Sequence, residues 1–309
     1  MQKTGLFLLA VSTVVMDAAP KTFLIFGGKT GWIGQKLVHI VANRGHRPVC
    51  AESRLENREQ IIQELNLVKP DFIINAAGIT GKPNIDWCET HKQDTLRTNV
   101  IGTLNLIDIA YQYDIHVTNI STGCIYEYDE RHPMHSGIGF TEEDEPNFTG
   151  SFYSRTKIYL EKMVLEYPNV LNLRVKMPIS AELDKGFVGK IRKYKKVINV
   201  PNSFCVLEDL LPFVIDMTLK ERKGNYNFVN PGTLSHNQIL DLYKEYIDPQ
   251  LTYENFSLEE QDRILQARRA NAELSPNKLL KVYTEIPHIR ESFIKLLKMN
   301  QEHRQEEVI

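Results

Sequence analysis

"TFLIFGGKTGWIGQKLVHIVANRG", residues 22–45, decides the fold. Its first five residues, apolar after the threonine, read as a buried strand. A glycine-rich turn follows, with Gly28, Gly31 and Gly34 leading into an amphipathic helix that stops at Gly45. Glycines there permit a tight turn and let an anion approach backbone N–H groups at the helix N-terminus. Thr30, Trp32 and Ile33 share that loop. A glycine-rich turn without a ligand is the alternative, and the surrounding pattern decides between the two.

That pattern is regular. "RPVCA" (47–51), "PDFIINAA" (70–77), "IHVTNIS" (115–121) and "NVLNLRVK" (169–176) read as strands. Between them, "ENREQIIQELNLV" (56–68), "QDTLRTNVIGTLNLIDIAYQY" (93–113) and "SRTKIYLEKMVLEY" (154–167) read as helices. Continuous apolar strands alternating with helices predict a parallel sheet covered on both faces, a doubly wound α/β domain. Beyond Pro178 the chain turns polar and loop-rich. "GNYNFVN" (224–230) is expected to return to the sheet. Residues 235–247, 257–270 and 289–304 are expected to be helical, with a charged tail that frays after Met299. The expected division is an N-terminal extension (1–20), a dinucleotide domain (21–180 and about 206–232) and a smaller, mainly helical substrate lobe (about 181–205 and 233–309).

The 309 residues are 42% hydrophobic and 25% charged, enough for a sizeable core. A net charge of −2 gives no electrostatic reason to bind nucleic acid or an anionic membrane. Cys50, Cys88, Cys124 and Cys205 lack paired spacing and read as reduced thiols, with no metal site. No apolar run reaches membrane-helix length.

"FYSRTK" sets Tyr153 and Lys157 at i and i+4 on one helix face. A tyrosine exchanges protons with a carbinol oxygen once its pKa falls from about 10, and a lysine cation one turn away is expected to lower it. After the second strand, Glu52 would suit an adenosine ribose, whereas Arg54 would pair with a 2′-phosphate. Arg54 favours NADPH, with NADH the alternative.

The G-x-x-G-x-x-G loop, "NAAG" (Asn75, Ala76, Ala77, Gly78), the strand ending Ser121-Thr122 and Tyr-x-x-x-Lys together resemble the extended short-chain dehydrogenase/reductases, a Rossmann-like fold. That resemblance implies that Thr122 binds the substrate oxygen, that Lys157 also holds the nicotinamide ribose, and that Asn99 is structural beside the cofactor. Pro178 falls in the same pocket. "NAAGITGKPNIDWCETHK", "STGCIYEYD", "GIGFTEEDEPNFTGSFYSRTK", "LRVKMPIS" and "NPGTLSHNQIL" narrow it to a resemblance with the bifunctional nucleotide-rhamnose synthase/epimerase-reductases, over nearly the whole chain. This implies conversion of dTDP- or UDP-4-dehydro-6-deoxyglucose to nucleotide-linked L-rhamnose by a cytoplasmic homodimer. Gly27-Gly28, where the family shows an aromatic and one glycine, and "AESRLENR" depart from that pattern at the cofactor pocket.

A C4 ketone acidifies the hydrogens on C3 and C5, so inverting both centres needs a base, an acid and a grip on the enolate oxygen. Cys124, two residues past Thr122, could exchange protons with a carbon beside that ketone; packing as a small thiol is the alternative. The resemblance assigns Lys190 as its opposite partner. It also suggests Asp86 and Glu89 over the sugar, and Asn202 and Arg269 at the nucleotide diphosphate. Trp32 and Trp87 read mainly as packing residues, and His132 and His135 as loop residues. Two competing readings remain: a 4-ketoreductase that does not epimerise, and a non-catalytic regulatory subunit. "MQKTGLFLLAVSTVVMDAAPK" resembles a secretory signal, with Met16 an alternative start; cytosolic metabolites as substrates favour the cytoplasm.

Overall fold

The computed structural model describes residues 19–306. The signal-like stretch and the start at Met16 lie outside the described residues.

Six strands build the main sheet: β1 (Thr22–Phe26), β2 (Arg47–Cys50), β3 (Phe72–Asn75), β4 (His116–Thr122), β5 (Val170–Val175) and, much later, β9 (Gly224–Phe228). All pair in parallel, in the order β2-β1-β3-β4-β5-β9. Helices α1 (Trp32–Asn43), α2 (Arg58–Val68), α5 (Thr103–Gln112) and α6 (Phe152–Val164) connect them. Side chains cap two of these: Asn57 accepts from the Gln60 N–H and Ser151 from the Ser154 N–H. β6 (Pro178–Ile179), α7 (Gly186–Ile191), β7 (Lys196–Val197) and β8 (Cys205–Val206) carry the chain away from the sheet, and α8 (Leu207–Leu219) leads back to it. α9 (His236–Tyr246), β10 (Glu254–Asn255), α10 (Leu258–Ile264), α11 (Asn277–Leu280) and α12 (Ile289–Glu306) complete the described chain. The strand at 224–230 therefore does return to the sheet, beside β5.

One buried cluster fills the face under α1 and α8, from Phe23 to Ile286. A second fills the opposite face under α2, α5 and α6. A third joins α7, α9 and α12 around Phe204 and Phe293, apart from the sheet.

Several elements differ from the sequence pattern. The long helix expected over 93–113 is three pieces: α4 (Lys92–Leu96), a π-helical stretch (Arg97–Gly102) and α5. A short α3 (Trp87–Thr90) precedes them. The wider turn brings Asn99 to the loop after β3, where it accepts from the Ile79 N–H and donates to the Ile79 carbonyl, both at 2.8 Å. α8 was not anticipated, because Pro212 sits inside it and most of its side chains are apolar, although Glu208, Asp209 and Asp216 fall at helical spacing on its less buried face. α10 ends at Ile264 rather than near Ala270, since Leu265 is already extended. α12 runs to Glu306, so the backbone stays helical through the tail expected to fray.

A polar ladder crosses the hydrophobic sheet. Asn75, Asn119, Asn172 and Asn225 are register partners on four adjacent strands. Each side-chain amide donates to the next, at 2.9, 2.8 and 2.7 Å. Buried amides cost little only when paired in this way.

Candidate active site

Chain order reverses between β1 and β3, and open α/β sheets bind ligands beyond the strand ends at such a point. Gly27 makes the turn there: its φ is +79° and its carbonyl accepts from the Gly31 N–H at 3.0 Å. Gly34 lies so near that a Cβ would stand 2.2 Å from the Gly27 oxygen. The sequence marks Gly27 only as half of a doubled glycine that departs from the family loop; the structure makes it the residue that forms the turn. No side chain caps α1 at Gly31 and no acid occupies its first turn, which leaves the N-terminus at Trp32 and Ile33 suited to a pyrophosphate. Thr30 is exposed on the same loop.

Trp32 reaches away from this cradle. Its indole N–H donates to Glu182 at 2.7 Å, and its ring lies against Gly186, close to the Pro178 carbonyl. At the end of β2, Glu52 pairs with Lys29, while Glu64 accepts from the Glu52 and Ser53 N–H groups at 2.7 and 3.0 Å. Arg54 is exposed and makes no ion pair among the described residues. Beyond β3, the Asn75 side chain accepts from the Ala77 N–H at 3.1 Å, and the Ala76 carbonyl crowds Gly27. A Cβ on Gly78 would stand 3.2 Å from Asn99 Oδ1 and 3.8 Å from Lys157 Nζ, so this backbone meets α6.

Thr122 ends β4, and its hydroxyl accepts from the Cys124 N–H at 3.0 Å and is hydrogen-bonded to Tyr153. Ser154 fastens the two elements, donating to the Cys124 carbonyl at 2.7 Å. Lys157 Nζ lies 5.9 Å from the Tyr153 ring centre. Both side chains are buried, and that burial corrects the expected electrostatics. Tyr153 is pushed up, not down, chiefly by burial and then by Cys124, with Thr122 opposing. Lys157 falls to about 8 because burial disfavours its charge, with Cys88 opposing. The phenol therefore stays protonated, the form a ketone reduction needs in its acid.

Residues 265–275, non-helical after α10, form a strap that passes the end of β5, where the Ala270 carbonyl accepts from Lys176 at 2.9 Å. Arg269 donates to Asp86 at 2.8 Å, and the Ala267 N–H also bonds Asp86. Lys190, on α7, is surface-exposed, yet partial burial of its ammonium and then the charge of Arg269 lower its pKa. Asp86 and Arg269 thus meet directly, whereas Lys190 feels only the charge of Arg269. Glu89 is turned to another task, accepting from the Phe152 N–H at 2.6 Å where α6 begins. Asn202 is fully buried, bonded to Val200, Asn271 and Ala272. It joins the strap to the segment before β8 and presents no free amide.

Trp87 stacks on His91 at 3.9 Å. His132 is more than a loop residue: it is buried on Phe140, with Asp129 at 3.0 Å and Asp144 at 3.5 Å from its ring nitrogens. Sequence distance hid the second carboxylate.

A glycine turn at the switch point of a parallel sheet, next to a buried Thr-Tyr-Lys set, defines a short-chain dehydrogenase/reductase-type site. The chain belongs to the NAD dependent epimerase/dehydratase family, whose model matches residues 24–183. It is 50% identical over 277 residues to a bifunctional dTDP-4-dehydrorhamnose 3,5-epimerase/dTDP-4-dehydrorhamnose reductase of Arabidopsis thaliana, covering 89% of this chain and 92% of that protein. It is also 50% identical, over 275 residues, to the Arabidopsis trifunctional UDP-glucose 4,6-dehydratase/UDP-4-keto-6-deoxy-D-glucose 3,5-epimerase/UDP-4-keto-L-rhamnose-reductase RHM1. That match takes in 88% of this chain but only 41% of the trifunctional protein. Among solved structures, the L780 UDP-rhamnose synthase of Acanthamoeba polyphaga mimivirus superposes with a TM-score of 0.85 at 37% identity, covering 90% of this chain and 99% of that one.

Proposed function

We propose that this chain epimerises C3 and C5 of a dTDP- or UDP-4-dehydro-6-deoxyglucose and reduces the C4 ketone, yielding the nucleotide-linked L-rhamnose. The observation that carries this reading is Cys124 tied to the Thr122 hydroxyl that also meets Tyr153. One pair of hydroxyls can grip the C4 oxygen in both reactions, as an enolate and as a developing alkoxide.

In the first reaction the Cys124 thiolate takes a proton from the carbon beside the ketone. The C–H bond breaks, an S–H bond forms, and the electron pair moves onto the C4 oxygen, held by Thr122 and Tyr153. Lys190, the partner that the family resemblance gives Cys124, delivers a proton to the opposite face, and solvent resets both groups. Bound NADPH supplies the hydride for the second reaction. Tyr153 then gives its phenolic proton to the C4 oxygen, with Lys157 beside it.

The uncapped α1 N-terminus and the Gly27 turn suit a dinucleotide pyrophosphate. Unpaired Arg54, with Glu52 engaged by Lys29, supports NADPH over NADH. Residues 181–205 and 233–309 act as the substrate lobe, supported by their separate core. A homodimer accords with Ile101, Tyr159 and Met163, apolar and exposed on the π-helical stretch and α6. Among the described residues no helix is long and apolar enough to cross a membrane, and a cytoplasmic reaction follows from the metabolites it would use.

The test is deuterium exchange. Incubation with dTDP-4-dehydro-6-deoxyglucose in D₂O without cofactor should place deuterium at C3 and C5, and added NADPH should then yield rhamnose. Cys124→Ser should slow exchange by about 100-fold or more, within the range of general acid–base catalysis, while reduction of already epimerised sugar falls far less. Reduction without exchange in the wild type would leave a simple ketoreductase. Absence of both, with the UDP sugar too, would leave a non-catalytic subunit.

The pH profile follows from Lys157. Its ammonium predominates below about 8 and is lost above it. Hence kcat/KM for NADPH should be level below that pH and fall about tenfold per unit above it. Lys157→Arg should move the break upward if it folds; a wild-type profile that stays level past the break would show that the lysine charge is not required.

A further inference from the structure

Trp32 faces two ways. Its backbone opens the uncapped start of α1, the end suited to a dinucleotide pyrophosphate, while its indole reaches the segment between β6 and α7. The indole N–H donates to Glu182 Oε2 at 2.7 Å. Lys36, one turn along α1, lies 3.1 Å from the same oxygen, and Lys185 donates to the other at 2.5 Å. These donors, Lys185 first and Trp32 next, hold the Glu182 carboxyl down at about 2, so the acceptor is ionised at any working pH.

The contact is closely fitted on both sides of α7. Gly186 opens that helix with a φ of +63°, and a Cβ there would stand 2.6 Å from the Trp32 ring. The Glu182 carbonyl accepts from the Lys185 N–H at 2.8 Å, where α7 begins. From the other side, Phe187 meets the rings of Phe204 and His236, with centres 5.1 and 5.0 Å away, against the core around α9 and α12. α7 is thus held between Trp32 and that core, and Lys190 lies one turn beyond Gly186. Exposed ion pairs contribute little singly. The charge-assisted bond from the indole, with its ring seated on Gly186, gives the contact its direction.

We propose that Trp32 and Glu182 form a latch, with Glu182 the positioning residue: a dinucleotide on the phosphate loop fixes Trp32, and Trp32 through Glu182 fixes α7 and Lys190. Cofactor and nucleotide sugar would then bind with positive coupling, each tightening the other by the same factor. Calling the far side a substrate lobe rests on the function proposed above; the contact between α1 and α7 does not.

The test is amide hydrogen exchange, read by mass spectrometry on the full chain with and without NADPH. In wild type, NADPH should slow exchange by about fivefold or more both in residues 27–37 and in residues 182–191. In Glu182→Ala the slowing should persist in the first segment and vanish from the second, an outcome that a merely stabilising contact would not give. Glu182→Gln, which keeps an acceptor for the indole, should retain most of it. Should Glu182→Ala not fold, Trp32→Phe, which loses the N–H but keeps a ring, should show the same loss. Protection of 182–191 that survives in both Glu182→Ala and Trp32→Phe, or that is missing from wild type with NADPH bound, overturns the latch. A second titration separates this inference from the proposed function. Saturating dTDP or UDP should tighten NADPH binding by about fivefold in wild type and leave it unchanged in Glu182→Ala. If neither nucleotide binds, the nucleotide-sugar reading fails while cofactor-driven protection of α7 keeps the latch; if they bind and tighten NADPH equally in both proteins, the latch fails and the reading stands.

Discussion

Tyr153→Phe is expected to lower 4-keto reduction by about 1,000-fold, roughly 4 kcal/mol of transition-state stabilisation. The phenol is buried and hydrogen-bonded to Thr122, and burial keeps it protonated. It is therefore the group proposed to give a proton to the C4 oxygen as that oxygen acquires negative charge. Phenylalanine keeps the ring and its packing, so the loss should be one of chemistry rather than folding. The same hydroxyl would hold the enolate oxygen during epimerisation, and exchange at C3 and C5 should also slow, by about 10-fold to 100-fold because Thr122 retains half of the grip. Single-turnover NADPH oxidation on epimerised sugar, beside deuterium exchange on the unepimerised one, measures both. A reduction rate within a few-fold of wild type would mean that another group, such as bound water, protonates the oxygen.

What was legible in the sequence is what local spacing encodes. The glycine turn, the i and i+4 pairing of Tyr153 with Lys157 and the alternation of apolar strands with amphipathic helices each sit within a short window, and each maps onto β1, α1, α6 and the parallel sheet. What depends on register was not legible. Asn75, Asn119, Asn172 and Asn225 lie 44, 53 and 53 residues apart and become a ladder only once four strands align. Lys176 reads as the polar end of a strand until the strap brings Ala270 over it. Arg269 seemed to ride a helix, yet the Ala267, Arg268 and Ala272 N–H groups all bond outside α10, which tertiary contacts end at Ile264. The sign of the Tyr153 shift was missed for a related reason. Spacing identifies the neighbouring lysine but not how deeply both groups are buried, and here desolvation outweighs the charge.

The second large effect lies one turn beyond Lys157. Tyr153, Lys157 and Glu161 follow at i, i+4 and i+8 on one face of α6. Glu161 is buried; its Oε1 accepts from Arg174 Nη2 at 2.6 Å, and its Oε2 accepts from Arg174 Nε and Asn172 Nδ2, both at 3.1 Å. Arg174 is 1% exposed and lies over the Tyr126 ring. This bidentate pair fastens α6 to β5, and through Asn172 it meets the ladder that ends at Asn75 beside the phosphate loop. Glu161→Ala should cost about 3–5 kcal/mol, because it strands a buried guanidinium and does not merely forfeit an attraction. At roughly 2 °C per kcal/mol for a chain of this size, the melting temperature should fall by about 6–10 °C. Glu161→Leu combined with Arg174→Met should recover most of that loss, since no unpaired charge remains. Thermal unfolding of the single and double variants checks the energetics. Turnover of the double variant then asks a separate question: restored stability with lowered kcat would show that the ion pair sets where α6 presents Tyr153 and Lys157, whereas full activity would confine its role to holding the helix on the sheet.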